Sequence, residues 1–262
     1  MAESEAMTEI AVSSTAQLGY CLTGIVYLLL PPAAYYILRR YGAARLLPVI
    51  AGAVMYFIAT RLADLTVWLA LGSASFAVKA AAAAELVPFT EEPARYFAVR
   101  YPLTGINSAG TALCYGIGHG GLECLFRAVD SFRSIGILDK LTAQASGENA
   151  VQVTDSLRQM AEYSFPLSIA ASVSLIMSFC LHLALSLLIY RKLHDQKPVK
   201  WLFIAIGIHY ANNVLGWLVS FVAVRAVMYI FSSLLTLSLI LLTIKLIGGR
   251  EVLEEIRSQQ YE

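Results

Sequence analysis

Apolar stretches of about 20 residues or more alternate with polar connections along almost the whole chain. A helix of ~20 residues rises ~30 Å, which matches the hydrocarbon core of a bilayer, so each stretch predicts a transmembrane helix. Seven helices are predicted, over residues 17–38, 46–72, 75–100, 106–126, 164–190, 201–223 and 226–247. The pattern therefore predicts an all-α fold, a polytopic bundle of seven transmembrane helices in the cell membrane.

Basic residues cluster at the connections on one side of the predicted bundle. They are Arg39, Arg40, Arg45, Arg95, Arg100, Arg191, Lys192, Lys197, Lys200, Lys245, Arg250 and Arg257. The N-terminal tail, residues 1–16, contains acidic residues but no Lys or Arg. Because short loops rich in Lys and Arg remain in the cytoplasm, we expect this tail outside the cell. The membrane domain, 17–247, would then place its long connection, 127–163, outside and the tail 248–262 in the cytoplasm.

The overall composition supports the membrane interpretation and excludes few functions. Hydrophobic residues make up 58% of the 262 residues and charged residues only 14%, which is unusual for a soluble domain. The formal net charge of +1 gives no indication of nucleic-acid binding. The four cysteines lie within apolar stretches without the spacing of a metal site, so we interpret them as reduced packing residues. The sequence leaves homo-oligomerisation open.

Four titratable residues on four different predicted helices reach a similar depth. Glu92, His182 and His209 each lie eight residues from the basic end of their helix, which is ~12 Å, and His119 lies ~18 Å in. A polar side chain in lipid is costly and usually faces the interior of the bundle at a functional site. We therefore predict that these four side chains share one interior site.

The spacing of charged residues supports such a site in the third helix. Glu91 and Glu92 precede Arg95 by four and three residues, so both carboxylates can reach the guanidinium on one helix face. Arg61 and Asp64, three residues apart on the second helix, are interpreted as a structural ion pair instead.

Further polar residues accompany the histidines. His119 lies among four glycines, which permit close helix contact, and is followed four residues later by Glu123, which could orient it. His209 is followed four residues later by Asn213. Serines repeat every fourth residue around His182. Such a polar stripe can also have a purely structural role, in which its side chains form hydrogen bonds between helices. These residues are Ser174, Ser178 and Ser186.

Four segments resemble successive motifs of the YhfC family of bacterial intramembrane metalloproteases: FTEEPARYFAVRY, ALCYGIGHGGLECL, FCLHLALSLLIY and AIGIHYANN. The resemblance spans residues 88–215 and extends to a wider group that includes CAAX prenyl endopeptidases and bacteriocin-processing proteases. It is more distant to the seven-span APH subunit of gamma-secretase. The chain departs from the family pattern at Asn213, where the family has Asp, and at Ser174 and Leu175, where the family commonly has a Glu-Arg pair.

The resemblance implies an intramembrane endopeptidase that acts on membrane-associated peptides or proteins. Glu92 or Glu91 would be the general base beside Arg95, and His119, His209 and Asn213 would polarise the water and the oxyanion. In a metal version, a Zn²⁺ would be bound by histidines, with Glu123 as a further candidate ligand. The predicted ligands are His119, His182 and His209. A metal-free version would use the same residues as hydrogen-bond partners.

Two other classes of function remain open at this stage. A non-catalytic scaffold would use the polar cluster to hold its helices together and would bind the transmembrane segment of a partner, as the resemblance to the APH subunit implies. A transporter would also use buried Glu and His, but the sequence shows no repeat between its halves. No HExxH motif is present, so the commonest zinc-protease signature does not decide the question.

Overall fold

The structure is a computed structural model that describes residues 14–104, 108–144, 163–219 and 225–258. Every regular element in this part of the chain is helical, which confirms the all-α prediction. The helices are α1 (Ser14–Arg40), α2 (Leu46–Leu71), α3 (Phe76–Arg100), α4 (Ala109–Gln144), α5 (Phe165–Lys192), α6 (Pro198–Val219), α7 (Arg225–Ile247) and α8 (Gly249–Ser258).

Four of the described helices are long and apolar enough to cross a membrane by length and composition. They are Thr15–Arg40, Leu46–Leu71, Phe165–Lys192 and Ala226–Ile247. Large apolar side chains cover their outward surfaces, and Leu69, for example, is 77% exposed. Such surfaces suit contact with lipid. The chain is therefore a membrane protein, whereas the count of seven spans and their orientation remain predictions.

Short connections place neighbouring helices side by side in opposite directions. Gly42 lies in the turn between α1 and α2 with a φ of 68°, a left-handed conformation that glycine adopts without steric cost. The helix ends that carry the basic residues listed above gather at one end of the bundle, which we call the basic face. The other end, which includes the turn 72–75 and the beginnings of α1, α3 and α5, is called the opposite face.

Helix α4 is longer than the sequence predicted. It continues to Gln144, so residues 127–144 are helical, whereas the sequence interpretation placed them in a loop. Charged residues such as Arg127 and Asp130 ended the apolar pattern at about residue 126, but they do not end the helix. The rest of the predicted connection, residues 145–162, falls outside the described residues.

A close crossing of α2 and α4 fixes the position of His119. A β-carbon added to Gly118 would overlap the carbonyl oxygen of Val49, and one added to Gly52 would overlap the carbonyl oxygen of Tyr115. Only glycine at these positions allows the two backbones to approach so closely. The glycine-rich sequence around His119 therefore brings α2 against the helix that carries this histidine.

Tight apolar packing fills the bundle between the polar site and the basic face. Its members come from the ends of α3, α5 and α7 and the beginnings of α4 and α6, and include Leu181, Leu185 and Leu188 at 1% exposure or less. Helix α8 lies against this end, where Glu255 accepts hydrogen bonds from the backbone N–H of Ala109 at 2.7 Å and the hydroxyl of Tyr190 at 2.9 Å. The tail predicted at 248–262 thus contains a helix.

Candidate active site

Helices α3, α4, α5 and α6 bring the predicted polar residues together inside the bundle. Glu92, Arg95 and His119 are fully buried, and Glu91, His182 and His209 are at most 4% exposed. The ring centroids of His119 and His182 are 5.1 Å apart, and those of His182 and His209 are 5.0 Å apart. The four helices therefore converge on one cluster, as the depths along the sequence predicted.

Glu92 forms the structural centre of this cluster. Its carboxylate accepts two hydrogen bonds from the Arg95 guanidinium, from Nε at 3.0 Å and from Nη2 at 3.2 Å. Oxygen Oε1 of Glu92 also lies 2.8 Å from Nδ1 of His209. Both oxygens of Glu92 are thus occupied, and the carboxylate joins α3 to α6.

Glu91 has a different partner, although it is adjacent in sequence. Its Oε2 lies 2.7 Å from Nε2 of His119 and 3.9 Å from Nε2 of His209. The sequence suggested that both glutamates could reach Arg95, but the described hydrogen bonds of that arginine to carboxylates go to Glu92 alone. Successive residues on a helix point about 100° apart, so Glu91 faces α4 while Glu92 faces Arg95 and α6.

Arg95 connects α3 to α5 with its remaining donors. Nη1 donates to the carbonyl oxygen of His182 at 3.1 Å and to the hydroxyl of Ser186 at 2.5 Å. Nη2 lies 3.2 Å from Nδ1 of His182. The serine stripe on α5 is therefore divided, because Ser186 holds the arginine whereas Ser178 contacts Asn212 of α6 at 3.4 Å.

Two of the predicted residues have other partners than the sequence suggested. The carboxylate of Glu123 lies 3.1 Å from Nε2 of His182, and it does not bond His119. The amide of Asn213 donates to the carbonyl oxygen of Ala84 at 3.0 Å, so it ties α6 to α3 at the edge of the cluster. Side chains four residues apart on one helix, such as His119 and Glu123, need not bond each other when a neighbouring helix offers a partner.

Aromatic side chains complete the surroundings of His119. The ring of Tyr56 packs edge-on against it with centroids 5.2 Å apart, and Tyr115 lies 5.9 Å away. The sequence reasoning missed both tyrosines. The position of Tyr115, four residues before His119, was the available signal, whereas nothing along the chain connects Tyr56 to it. The separate Arg61–Asp64 ion pair, predicted as structural, is formed at 2.9 Å.

A comparison with protein-family models assigns the chain to a known family. The model of the YhfC intramembrane metalloprotease family matches residues 26–235, which is most of the chain. The chain belongs to this family. Neither the curated proteins nor the solved structures gave a match. The matched range includes every residue of the cluster, so the YhfC assignment and the buried site describe the same part of the molecule.

The YhfC family name implies a metal, and one group of the described residues fits a metal. Glu91, His119 and His182 each offer one ligand atom, and these three atoms lie within 4.8 Å of one another. One carboxylate and two imidazoles are a ligand set that Zn²⁺ accepts. The sequence predicted His209 in place of Glu91, but Nδ1 of His209 bonds Glu92. Nδ1 of His119 is buried and has no hydrogen-bond partner among the described residues.

A cavity of about 650 Å³ reaches the cluster of this YhfC protein. Glu91, Glu123, His182 and His209 form its inner end, whereas Glu92 and Arg95 lie behind the wall. Glu91 is therefore the carboxylate of the adjacent pair that a molecule in the cavity would meet. Asn213 lines the same cavity.

Proposed function

We propose that this protein is an endopeptidase that hydrolyses a peptide bond at the inner end of the cavity, within the depth of the membrane. The observation that carries the proposal is the buried pair of Glu91 and His119, 2.7 Å apart, in which Glu91 lines the end of the cavity. A carboxylate and an imidazole in contact can accept and hold a proton, which is what activation of a water molecule requires.

Glu91 is the proposed proton acceptor in the absence of a metal. It lines the cavity and bonds His119, whereas both oxygens of Glu92 are held by Arg95 and His209. A water molecule in the cavity can therefore approach Glu91 without breaking the arginine pair. The sequence favoured Glu92 for this role, and the partners of the two carboxylates favour Glu91.

Glu92 and Arg95 are proposed as positioning residues. The carboxylate of Glu92 holds Nδ1 of His209 at 2.8 Å, which leaves Nε2 of that ring at the inner end of the cavity. A protonated His209 would present Nε2–H to the carbonyl oxygen of a bound peptide and stabilise the negative charge that develops there. Arg95 fixes the orientation of Glu92 through its two hydrogen bonds.

The metal of the family would be held by Glu91, His119 and His182. A bound Zn²⁺ would lower the pKa of a water molecule and polarise a carbonyl group. Glu123 would then be the remaining carboxylate at the inner end of the cavity, and it would take the proton in place of Glu91.

We also propose an orientation of the bundle in the membrane, with the basic face in the cytoplasm. The described ends of α1, α3, α5 and α7 that carry Arg and Lys favour a cytoplasmic basic face by the positive-inside rule. From this face the site lies ~12 Å along α3, measured from Arg100 to Glu92. The substrate bond would therefore be cleaved below the membrane surface.

The experiment compares cleavage of membrane-spanning peptides in liposomes by the wild type and by carboxamide variants. Loss of a general base typically costs about 10²–10⁴-fold in rate, so Glu91→Gln is expected to lose cleavage to that extent. Glu254→Gln is the matched control, because Glu254 is exposed on α8. Glu123→Gln tests which carboxylate accepts the proton. This variant should keep cleavage if Glu91 is the acceptor and should lose cleavage if Glu123 is the acceptor. Cleavage by Glu91→Gln at the wild-type rate would refute the proposed site.

A further inference from the structure

We propose that the cavity admits a basic peptide segment from the opposite face, rather than a lipid-modified peptide from the basic face. This inference rests on the proposed peptidase function for its substrate, but the path and the charge preference can be tested without cleavage. Three features carry it: the closed basic side of the site, the polar walls of the cavity, and the unequal numbers of acidic and basic side chains on those walls.

The site is closed toward the basic face. Tyr115 lies one turn from His119 in that direction and is fully buried. Ala112, one further turn along, is 2% exposed and belongs to the apolar packing that also contains Leu185 and Ile208. A peptide could reach Glu91 from this side only by separating four tightly packed helices, which is costly because protein interiors contain few voids.

The cavity extends toward the opposite face. Ser134 lines it and lies fifteen residues beyond His119 on α4, which corresponds to ~22 Å. Tyr20 lines it near the beginning of α1, and Tyr163 lines it just before α5 begins. These residues lie at the opposite face, the end of the bundle that includes the turn 72–75 and the beginnings of α1 and α5. A continuous path therefore leads from the opposite face to Glu91.

The walls of this path suit a peptide better than a hydrocarbon chain. In the part of the chain that the structure describes, five tyrosines and seven serine or threonine hydroxyls line the cavity, against four aliphatic residues, Ala84, Val87, Ala171 and Leu175. Backbone N–H and C=O groups need hydrogen-bond partners when they leave water, and hydroxyl groups can donate or accept. Several of these hydroxyls already donate within the protein, as Ser131 does to the carbonyl oxygen of Arg127 at 2.9 Å, but their oxygens can still accept a hydrogen bond from a peptide N–H, which a prenyl or acyl chain does not offer.

The charged residues of the walls are mainly acidic. Among the described residues, Glu85, Glu91, Glu123 and Asp130 line the cavity together with one lysine or arginine, Arg127. Arg127 lies 3.9 Å from Glu123, so these two charges offset each other and leave Glu85, Glu91 and Asp130 as the remaining acidic side chains. Both carboxyl oxygens of Glu85 are buried and have no hydrogen-bond partner among the described residues. A lysine or arginine side chain would supply the missing donors, and the acidic walls would attract it.

The path is tested by labelling single introduced cysteines with a membrane-impermeant maleimide. Ser178→Cys reports the cavity, Ser73→Cys marks the opposite face, and Ser258→Cys marks the basic face. Ala184→Cys, at a site 5% exposed two residues beyond His182, is the closed control. The wild type, which has four cysteines of its own, sets the background. Labelling is compared between right-side-out and inverted vesicles.

The expected result is that Ser178→Cys reacts in the same vesicles as Ser73→Cys and that Ala184→Cys does not react in either. Reaction of Ser178→Cys only in the vesicles that label Ser258→Cys would overturn the path. Ser174→Cys, on the same wall one turn away, repeats the test if Ser178→Cys fails to fold. Because no cleavage is measured, a negative result here would leave the proposed peptidase function unaffected.

The charge preference is tested by binding of fluorescent peptides to the purified protein. A lysine-containing peptide is expected to bind about tenfold more tightly than its glutamate counterpart at low salt. Glu85→Gln should weaken binding of the basic peptide roughly three- to tenfold and leave a neutral peptide unchanged. Glu254→Gln is the control. Equal affinities for basic and acidic peptides, or tighter binding of a prenylated peptide, would overturn the proposed substrate class.

Discussion

Truncation of Arg95 perturbs the structural centre of the site without touching the cavity. The guanidinium is fully buried and donates two hydrogen bonds to Glu92, one to the carbonyl oxygen of His182, one to Nδ1 of His182 and one to Ser186. Arg95→Ala removes all five and leaves Glu92 as a buried carboxylate without its positive partner. His209 is then the one remaining described hydrogen-bond partner of that carboxylate.

The size of the effect follows from the burial of both partners. Removing one member of a buried ion pair typically costs about 3–5 kcal/mol, because the remaining charge stays buried without compensation. In a protein of roughly this size, each kcal/mol lowers the unfolding midpoint by about 2–4 °C. Arg95→Ala should therefore lower the midpoint by roughly 6–20 °C. Arg95→Lys should give a smaller decrease, since an ammonium keeps the charge but cannot reproduce the planar fork.

The measurement is thermal unfolding in detergent, followed by tryptophan fluorescence. Arg100→Ala is the matched control, because Arg100 lies five residues further on the same helix and is exposed. We expect the midpoint of this control to equal that of the wild type within error. If Arg95→Ala and Arg100→Ala unfolded at the same temperature, the buried arginine would not hold the helices together and the assignment of Arg95 and Glu92 as positioning residues would be wrong.

Three further predictions concern packing, metal and orientation. Gly118→Ala should destabilise the protein by about 1–3 kcal/mol or more, because the added β-carbon would overlap the α2 backbone. Gly207→Ala is the control, because a β-carbon at this site meets open space. Chemical denaturation in detergent measures the free energy of unfolding of both variants. The purified protein should bind about one Zn²⁺ per chain, and His119→Ala should lose it in elemental analysis. On intact cells, an impermeant maleimide should label Ser73→Cys and leave Ser258→Cys unlabelled, and the reverse would invert the proposed orientation.

The sequence was sufficient to predict the helices that cross the bundle and the residues that meet inside it. Apolar stretches are bounded by polar turns, so the predicted beginnings of α2 and α3 agree with the structure to within a residue. The convergence of Glu92, His119 and His209 followed from their similar depth and the cost of polar groups in lipid.

The hydrogen-bond partners of Glu91 and Glu92 could not be predicted from the sequence. Glu91 and Glu92 differ by one position, and both lie within reach of Arg95 along the helix, so spacing cannot say which carboxylate turns toward α4. That choice depends on where α4 and α6 place His119 and His209 around α3, which spacing along one helix does not reveal. The extension of α4 beyond residue 126 was also missed. Its charged residues line a cavity inside the bundle, but in the sequence they interrupt the apolar stretch in the same way as the residues of a loop.

The most direct test of the central claim is hydrolysis of a membrane-spanning, lysine-containing peptide in ¹⁸O-enriched water. The wild type should release two fragments, and the new C-terminal carboxylate should carry one ¹⁸O atom from the attacking water. Glu91→Gln should release about 10²–10⁴-fold less product, although it remains folded and inserted. Labelled product from Glu91→Gln at the wild-type rate, or fragments without ¹⁸O from the wild type, would contradict water activation at the Glu91–His119 pair.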